Sequence, residues 1–305
     1  MSATLDYLPA EQSFLDPVRA DADAPASAGA VVISFPLEAS VSYGAGTASA
    51  PAAILKASQQ LELYDEELGR EAYLDYGVAA LVEPVVARPI EAALAQLEAL
   101  VARVLEAGKF PLVLGGEHSL TVGAVRALLA RHQELVVLQL DAHADLRDGY
   151  LGERYSHAAA MRRVLDHSGA SLVSVGIRAI SAAEMAYFEA NRDRISIHWA
   201  KDQARWDLAS MLAPLTGRPV YISFDIDALD AAVMPATGTP TPGGLGYWQA
   251  LGIVRQACRL GNVVGADLVE FAPIAGLHAF DYTAAALAYK LLNYALSPAN
   301  TDRPG

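Results

Sequence analysis

Three short segments of this sequence concentrate histidine and aspartate. Gly115-Gly116-Glu117-His118-Ser119 follows the apolar run Phe110–Leu114. Asp141-Ala142-His143-Ala144-Asp145 follows Leu135–Leu140, and Asp225-Ile226-Asp227 follows Val220–Phe224. Side chains at i, i+2 and i+4 of an extended chain point the same way. Asp141, His143 and Asp145 can therefore converge on one point, as can Asp225 and Asp227, and His118 supplies a third origin. Alanines at 142 and 144 leave room. The six residues bring four carboxylates and two imidazoles together. Carboxylates so crowded repel one another unless cations are present, and two divalent ions would balance them formally. An oxygen-rich donor set with nitrogen and no sulfur suits manganese, is compatible with magnesium, cobalt or nickel, and argues against a thiolate zinc site. Two-metal sites hold their ions about 3.5–4 Å apart and activate a shared water. A lone Asp-x-Asp is ordinarily a solvated turn and a lone histidine a packed or surface residue. Three such clusters, each at the exit of an apolar run, are what single these residues out.

The rest of the chain must position those exits. Short apolar or β-branched runs predict strands at Val31–Phe35, Tyr73–Val78, Phe110–Leu114, Leu135–Leu140, Leu172–Ile177, Ile195–Trp199, Val220–Phe224 and Val263–Val269. Between them, helices are predicted at Ala50–Leu63, Pro89–Ala107, Leu120–His132, Ala158–His167, Ala182–Asn191, Gln203–Leu215, Tyr247–Leu260 and Tyr282–Leu296. In the second of these, Ile90, Ala93, Leu94, Leu97 and Val101 share one face at helical spacing. Such alternation predicts an α/β protein, with a mostly parallel sheet of about eight strands and helices on both faces. In such sheets ligands bind at the carboxyl ends of the strands, where the three clusters fall. Residues 1–29, rich in Ala, Asp and Pro, read as an arm that docks on the body or a neighbouring subunit. Residues 30–305 read as a single domain, without repeats or long linkers.

Composition narrows the partners. The net charge of -13 disfavours nucleic acid. It fits a small cationic substrate through weak long-range attraction, although solubility alone explains it equally well. Apolar residues make up 53% of the 305, enough for a well-filled core, and no apolar run is long enough to span a bilayer. The single cysteine, Cys258, excludes an internal disulfide and reads as packing. The N-terminus lacks the pattern of a secretory signal, so a cytoplasmic location is expected.

The motifs also resemble those of the ureohydrolase family, which includes arginase, agmatinase and related guanidino-hydrolases. The matching segments are GGEHS at 115–119, DAHAD at 141–145, SHAAAMRR at 156–163, SFDIDALD at 223–230, TGTPTPGGL at 237–245 and GADLVEFAP at 265–273. An early segment, VSYGAGTASAPAAILKAS at 41–58, matches the family's glycine-containing loop before its first helix. The resemblance runs from about residue 30 to about 295 and implies the three-layer α/β/α arginase–deacetylase fold. It implies that His118, Asp141, Asp145 and Asp225 serve one metal, that His143, Asp141, Asp225 and Asp227 serve the other, and that two Mn2+ bind per subunit. It further implies a catalytic histidine at His157, a guanidinium-binding glutamate at Glu270, and a homo-oligomer, trimer or hexamer. Glu117, where the family more often has aspartate, is not among its ligands. A proline often found after SFDIDALD is also missing.

The residues themselves say less about the last two positions. A carboxylate such as Glu270 suits planar guanidinium through two parallel hydrogen bonds, and a histidine such as His157 can shuttle protons near neutral pH. By spacing alone, Glu270 reads as a strand-end surface residue and His157 as a packed residue at a helix start. Arg162-Arg163 reads as a solvated helix face, and His132, His167, His198 and His278 as structural or exposed. Gly115-Gly116 lacks the third glycine of a dinucleotide site. The implied reaction has Glu270 orient the guanidinium and Asp145 accept a hydrogen bond from the attacking hydroxide, while His157 relays a proton to the leaving amine. The loop Leu146–Tyr155 lacks the asparagine with which arginases hold an α-carboxylate, and offers Asp148 and Glu153 instead. It points to an amine-tailed guanidine, agmatine first, giving putrescine and urea. Aminopropylagmatine, guanidinobutyrate and arginine are the alternatives within the family. A non-catalytic, metal-binding regulatory protein is the alternative outside it.

Overall fold

The computed structural model describes residues 5–297. Strands are β1 (Ala30–Phe35), β2 (Tyr64–Asp65), β3 (Arg70–Glu71), β4 (Val78–Ala80), β5 (Phe110–Gly115), β6 (Leu135–Leu140), β7 (Ala170–Ile177), β8 (Ile195–Trp199), β9 (Pro219–Asp225) and β10 (Asn262–Val269). Helices are α1 (Ala50–Ser58), α2 (Tyr73–Tyr76), α3 (Ile90–Glu106), α4 (Thr121–Leu129), α5 (Ala160–Leu165), α6 (Ala182–Ala190), α7 (Leu208–Met211), α8 (Tyr247–Leu260) and α9 (His278–Leu296). Eight strands form one parallel sheet in the order β4-β1-β5-β10-β9-β6-β7-β8, and β2 and β3 form a separate antiparallel hairpin.

The central strands are buried and largely apolar on both faces, because both faces are covered. In β1, Ala30 and Val32 pack with α1 and α9, while Val31, Ile33 and Phe35 pack with α3 and α4. This is the three-layer α/β/α architecture that the alternation predicts. The residues before β1 cover the sheet edge at β4. Leu8 N–H donates to Ala80 O at 2.8 Å, Arg19 Nη2 donates to Val78 O at 2.7 Å, and Phe14 and Leu15 are fully buried. Among the described residues no helix is long and apolar enough to cross a membrane.

Two predicted elements differ. Tyr73–Val78 is not a strand: Tyr73–Tyr76 makes one helical turn and Gly77 breaks it at φ 64°, so extended chain starts at Val78. Glycine adopts that left-handed conformation at little cost. The helix predicted over Gln203–Leu215 divides into a turn at Ala200–Arg205, α7 capped by Asp207, and a second turn at Ala213–Leu215. Pro214 lacks the N–H needed to continue α7.

Strand order carries a consequence that sequence order hides. The chain runs from β5 through α4 to β6, yet β10 and β9 lie between those two strands. Thus β5, β10, β9 and β6 are consecutive neighbours, and their carboxyl ends deliver His118, Glu270, the Asp225 and Asp227 pair, and the 141–145 segment to one place. Such a switch in strand order opens the crevice in which α/β proteins bind ligands.

Candidate metal centre

Beneath that crevice lies a buried polar row. In register across the sheet stand Asp267 on β10, Ser223 on β9, Gln139 on β6 and Ser174 on β7. All four are buried. Asp267 accepts hydrogen bonds from the hydroxyls of Ser223 at 2.9 Å, Tyr221 at 2.9 Å and Thr121 at 2.6 Å. Ser174 donates to Gln139, whose amide donates to Asp141 Oδ2 at 2.7 Å. A fully hydrogen-bonded polar row can hold the residues above it in one orientation. Each member of this row has a partner.

His118 rests on the row. Its Nε2 is 2.8 Å from Ser223 Oγ. Because Ser223 spends its hydrogen on Asp267, Nε2–H donates to Ser223 and Nδ1 is left bare in the neutral ring. Nδ1 lies 3.0 Å from Asp145, 3.2 Å from Asp141 and 3.4 Å from Asp225, measured to carboxylate oxygens. None of these contacts has full hydrogen-bond geometry. Yet while burial opposes a charged ring, the three carboxylates outweigh it and hold the imidazole well above its ordinary range, so in the ion-free chain Nδ1 keeps a proton where an ion would bind. The turn that carries His118 needs Gly116, where a Cβ would sit 2.0 Å from Leu37 O.

A second group adjoins the first. His143 Nδ1 lies 3.0 Å from Asp227 Oδ2 and 3.8 Å from Asp141 Oδ1. Donor atoms of His118, Asp141 and Asp145 lie within 4.8 Å of one another, and so do those of Asp141, His143 and Asp227. Asp141 belongs to both, turning Oδ2 to one and Oδ1 to the other. The six residues singled out by spacing are therefore brought together. For Asp145 strand alternation is not the reason, since it sits at a local kink with a left-handed φ of 52°. A non-glycine residue in that region costs about 1–3 kcal/mol, and such strain concentrates at functional sites.

The electrostatics fit a site for cations. Burial, with the charges of Asp227 and Asp145, pushes the Asp141 carboxyl up to about 7. Burial and the charges of Asp227 and Asp141 push Asp225 well above the carboxylate range. Burial opposes a charged His143, but Asp227 outweighs it and holds the imidazole at about 10. Burial also opposes the Asp227 carboxylate, which His143 nevertheless lowers to about 2. The ion-free cluster thus holds protons where divalent ions would otherwise balance the charge. A buried imidazole nitrogen turned on three carboxylates, and paired donor sets of hard oxygens and imidazole, fit two such ions.

A cavity of about 310 Å³ opens over the cluster, lined by His143, Asp145, Asp225, Asp227, His157 and Glu270 among others. Glu270 is also left-handed, at φ 60°, and burial pushes its carboxyl up to about 8. It is a wall of the cavity and not a surface residue. His157 opens a short turn capped by Ser156 and contacts Ser40 and Ser42.

Two expectations fail here. Asp148 and Glu153 do not line the cavity. Asp148, 75% exposed, pairs with Arg163, and Glu153 caps the N–H of Tyr155. The carboxylate in that wall is Glu184, beside Arg147 and Tyr150. Arg162-Arg163 is not a solvated face, for Arg163 is buried and Arg162 stacks on Tyr187. Cys258 does pack, and burial pushes its thiol up to about 12. Asp267, Gln139, Ser223 and Glu184 escaped the sequence reading. Asp267 alone left a signal, as a charge inside the apolar run Val263–Val269.

The arginase family model matches residues 28–296. The N(1)-aminopropylagmatine ureohydrolase of Synechocystis sp. is 38% identical over 280 residues, 88% of this chain and 90% of that protein. The agmatinase of Bacillus anthracis is 38% identical over 250 residues, 80% of this chain and 83% of its own. The solved structure of the agmatine ureohydrolase of Thermoplasma volcanium superimposes with a TM-score of 0.80 at 30% identity, covering 96% of this chain and 95% of the other. Matches of this length include every segment of the site, and the chain belongs to the arginase family.

Proposed function

We propose that this chain hydrolyses the guanidino group of a small cationic substrate, agmatine in the first instance, to urea and an amine. The observation that carries the reading is the pair of donor sets sharing Asp141 on the floor of a cavity walled by Glu270. His118, Asp141, Asp145 and Asp225 would hold one divalent ion, and Asp141, His143, Asp225 and Asp227 the other. Manganese suits these donors. Bound there, two such ions would supply an activated water and the charge to steady a tetrahedral intermediate.

The chain's own residues do the rest. Glu270 accepts two parallel N–H groups of the guanidinium and fixes its plane. Asp145 accepts a hydrogen bond from the attacking water and orients it. His157, on the cavity wall, takes up a proton released by the attacking water and passes it to the departing nitrogen. An O–C bond forms, the bond from carbon to the tail nitrogen breaks, and that nitrogen leaves as an amine. With agmatine the amine is putrescine.

Aminopropylagmatine is the second reading. The Synechocystis relative so named aligns over more of this chain than the Bacillus agmatinase does. A cytoplasmic trimer or hexamer is the accompanying expectation, which gel filtration tests for size. Manganese-loaded protein should bind about two ions per chain and release urea from a guanidine, and Asp225→Asn should weaken both. Metal binding with no urea from any guanidine tested would favour the regulatory alternative.

A further inference from the structure

Both ring nitrogens of His157 face serines. Ser40 Oγ lies 3.1 Å from Nδ1, and Ser42 Oγ lies 2.7 Å from Nε2. What Ser40 can offer decides where the neutral ring carries its proton. A hydroxyl has one hydrogen and two lone pairs. Ser40 directs its hydrogen to Glu117 Oε1, at 2.8 Å.

Glu117 is fully buried and ringed by donors. Its Oε2 accepts the backbone N–H groups of Ala39 at 2.5 Å and Ser40 at 2.7 Å. Its Oε1 accepts the hydroxyls of Ser40 and of Ser119, the latter at 2.6 Å. With four donors turned on its two oxygens, the carboxylate keeps the Ser40 hydrogen directed at Oε1. The lone pairs of Ser40 then face His157. One accepts the His157 backbone N–H at 3.0 Å, and the other meets Nδ1. Two lone pairs do not face each other at that distance, so Nδ1 carries the hydrogen. Ser156 Oγ, 3.4 Å from Nδ1, is a second and longer acceptor.

We propose that Glu117 is a positioning residue: acting through Ser40, it fixes His157 in the Nδ1–H tautomer and reserves Nε2, on the cavity side, for proton transfer. Ser42 donates to that bare Nε2, and both residues line the cavity. The inference rests on the reading of His157 as a relay that takes up a proton at Nε2 and delivers it to the leaving amine. It deepens that reading by naming the atom and what holds it.

The test reads the tautomer directly. The full chain, metal-free and labelled with ¹⁵N in its seven histidines, gives side-chain ¹H–¹⁵N correlations at a pH where His157 is neutral. His157→Ala identifies its signals. The wild-type ring should show Nδ1 protonated and Nε2 bare. In Glu117→Gln the amide oxygen is claimed by two backbone N–H groups that cannot turn, so the amide NH₂ faces Ser40. The Ser40 hydrogen must then swing to Nδ1, and the tautomer should invert. Ser40→Ala keeps the Glu117 contacts to the backbone and should leave both tautomers populated. It carries the test should Glu117→Gln not fold. A wild-type ring protonated at Nε2, or an unchanged tautomer in the folded variants, would overturn the proposal. With manganese-loaded enzyme, both variants should lose kcat, by at most the roughly 10²–10⁴-fold that positioned proton transfer supplies, with KM and metal content little changed. Failure of the wild type to release urea would sink the functional reading alone, since the tautomer is read without turnover.

Discussion

Glu270 Oε1 accepts a 2.6 Å hydrogen bond from the backbone N–H of His118. The two residues are 152 positions apart in the chain, but they leave neighbouring strands, β5 and β10. A second bond, from Glu270 N–H to Gly116 O at 2.9 Å, ties the same two exits together. The residue proposed to hold the guanidinium is thus clamped to the residue proposed to hold a metal ion. This clamp fixes Glu270 relative to the metal cluster and holds its left-handed backbone.

Glu270→Gln should separate charge from position. The amide oxygen can still accept from His118, so the clamp survives while the partner for the cation is lost. Removing one partner of a buried charge pair costs about 2–5 kcal/mol, and kcat/KM for a guanidine should fall accordingly. Metal content should stay at the wild-type level by elemental analysis. Unchanged kcat/KM would take Glu270 out of substrate binding.

Asp267 is predicted to act on the metal without touching it. It holds Ser223, and Ser223 fixes the ring of His118 with Nδ1 toward the carboxylates. Asp267→Asn places an amide hydrogen where a hydroxyl now donates and forces Ser223 or Thr121 to turn. Partners behind metal ligands are typically worth about 10- to 100-fold in affinity. Competition with a chelator should therefore show weaker manganese binding in the variant. Equal affinity would make Asp267 a packing residue only.

Protons and metal should compete in a direction that the cluster dictates. In the metal-free chain Asp141 stands at about 7 and Glu270 at about 8, raised first of all by burial. Unfolded, both titrate at about 4. The folded chain therefore keeps protons that the unfolded chain has released, and stability falls as pH rises through this window. His143 stands at about 10, because Asp227 outweighs the opposing effect of burial. Its contribution is complete below about 6.5 and is lost as pH climbs through 10. Asp227, lowered to about 2 against burial by His143, works the other way, but only below about 4. From pH 6 to 9 the contributions of Asp141, Glu270 and His143 share one sign. Metal-free protein should melt at a lower temperature at pH 9 than at pH 6. Manganese displaces those protons and should stabilise most at the higher pH. A metal-free melting temperature that is flat or rising over this range would contradict the assignment.

Much of this site was legible in the sequence because its ligands sit at strand exits. There the apolar run stops and a charged side chain stands out against it. His118, Asp141, His143, Asp145, Asp225 and Asp227 all carry that mark, and the eight-strand alternation follows from the same contrast. What sequence could not show is adjacency. Nothing in the order of residues says that β9 and β10 insert between β5 and β6. Nor does anything say that Asp267, Ser223 and Gln139 share one register. Those three look like isolated polar residues until the sheet aligns them. Asp148 and Glu153 misled for the opposite reason. Their charge suggested a ligand, but Arg163 and the Tyr155 N–H had already claimed them.

The wall beside Glu184 is where the substrate tail must be decided. Arg147 stacks over Tyr150 at 5.0 Å, with its Nε 3.9 Å from Glu184 Oε2. Both Glu184 oxygens are engaged, Oε1 by the N–H of Leu146 and Oε2 by the N–H and hydroxyl of Ser181. The acid is therefore held in place and partly neutralised, while Arg147 puts a cation at the cavity wall. A tail amine passing Arg147 meets repulsion, and a tail carboxylate meets attraction. Arg147 is 41% exposed, so solvent screens either effect to about 1 kcal/mol or less, a several-fold change in affinity. Wild-type enzyme should still prefer agmatine or aminopropylagmatine over arginine and guanidinobutyrate, because the loop offers no asparagine for a carboxylate. Arg147→Ala should then lower KM several-fold for the amine-tailed pair and raise it for the carboxylate-tailed pair, with kcat little changed. All four compounds, compared by kcat/KM on one manganese-loaded preparation, decide the matter. Wild-type preference for arginine or guanidinobutyrate would end the agmatine reading and make Arg147 an anchor for a carboxylate. Preference for aminopropylagmatine would keep the chemistry and assign the open end of the cavity to a longer polyamine tail.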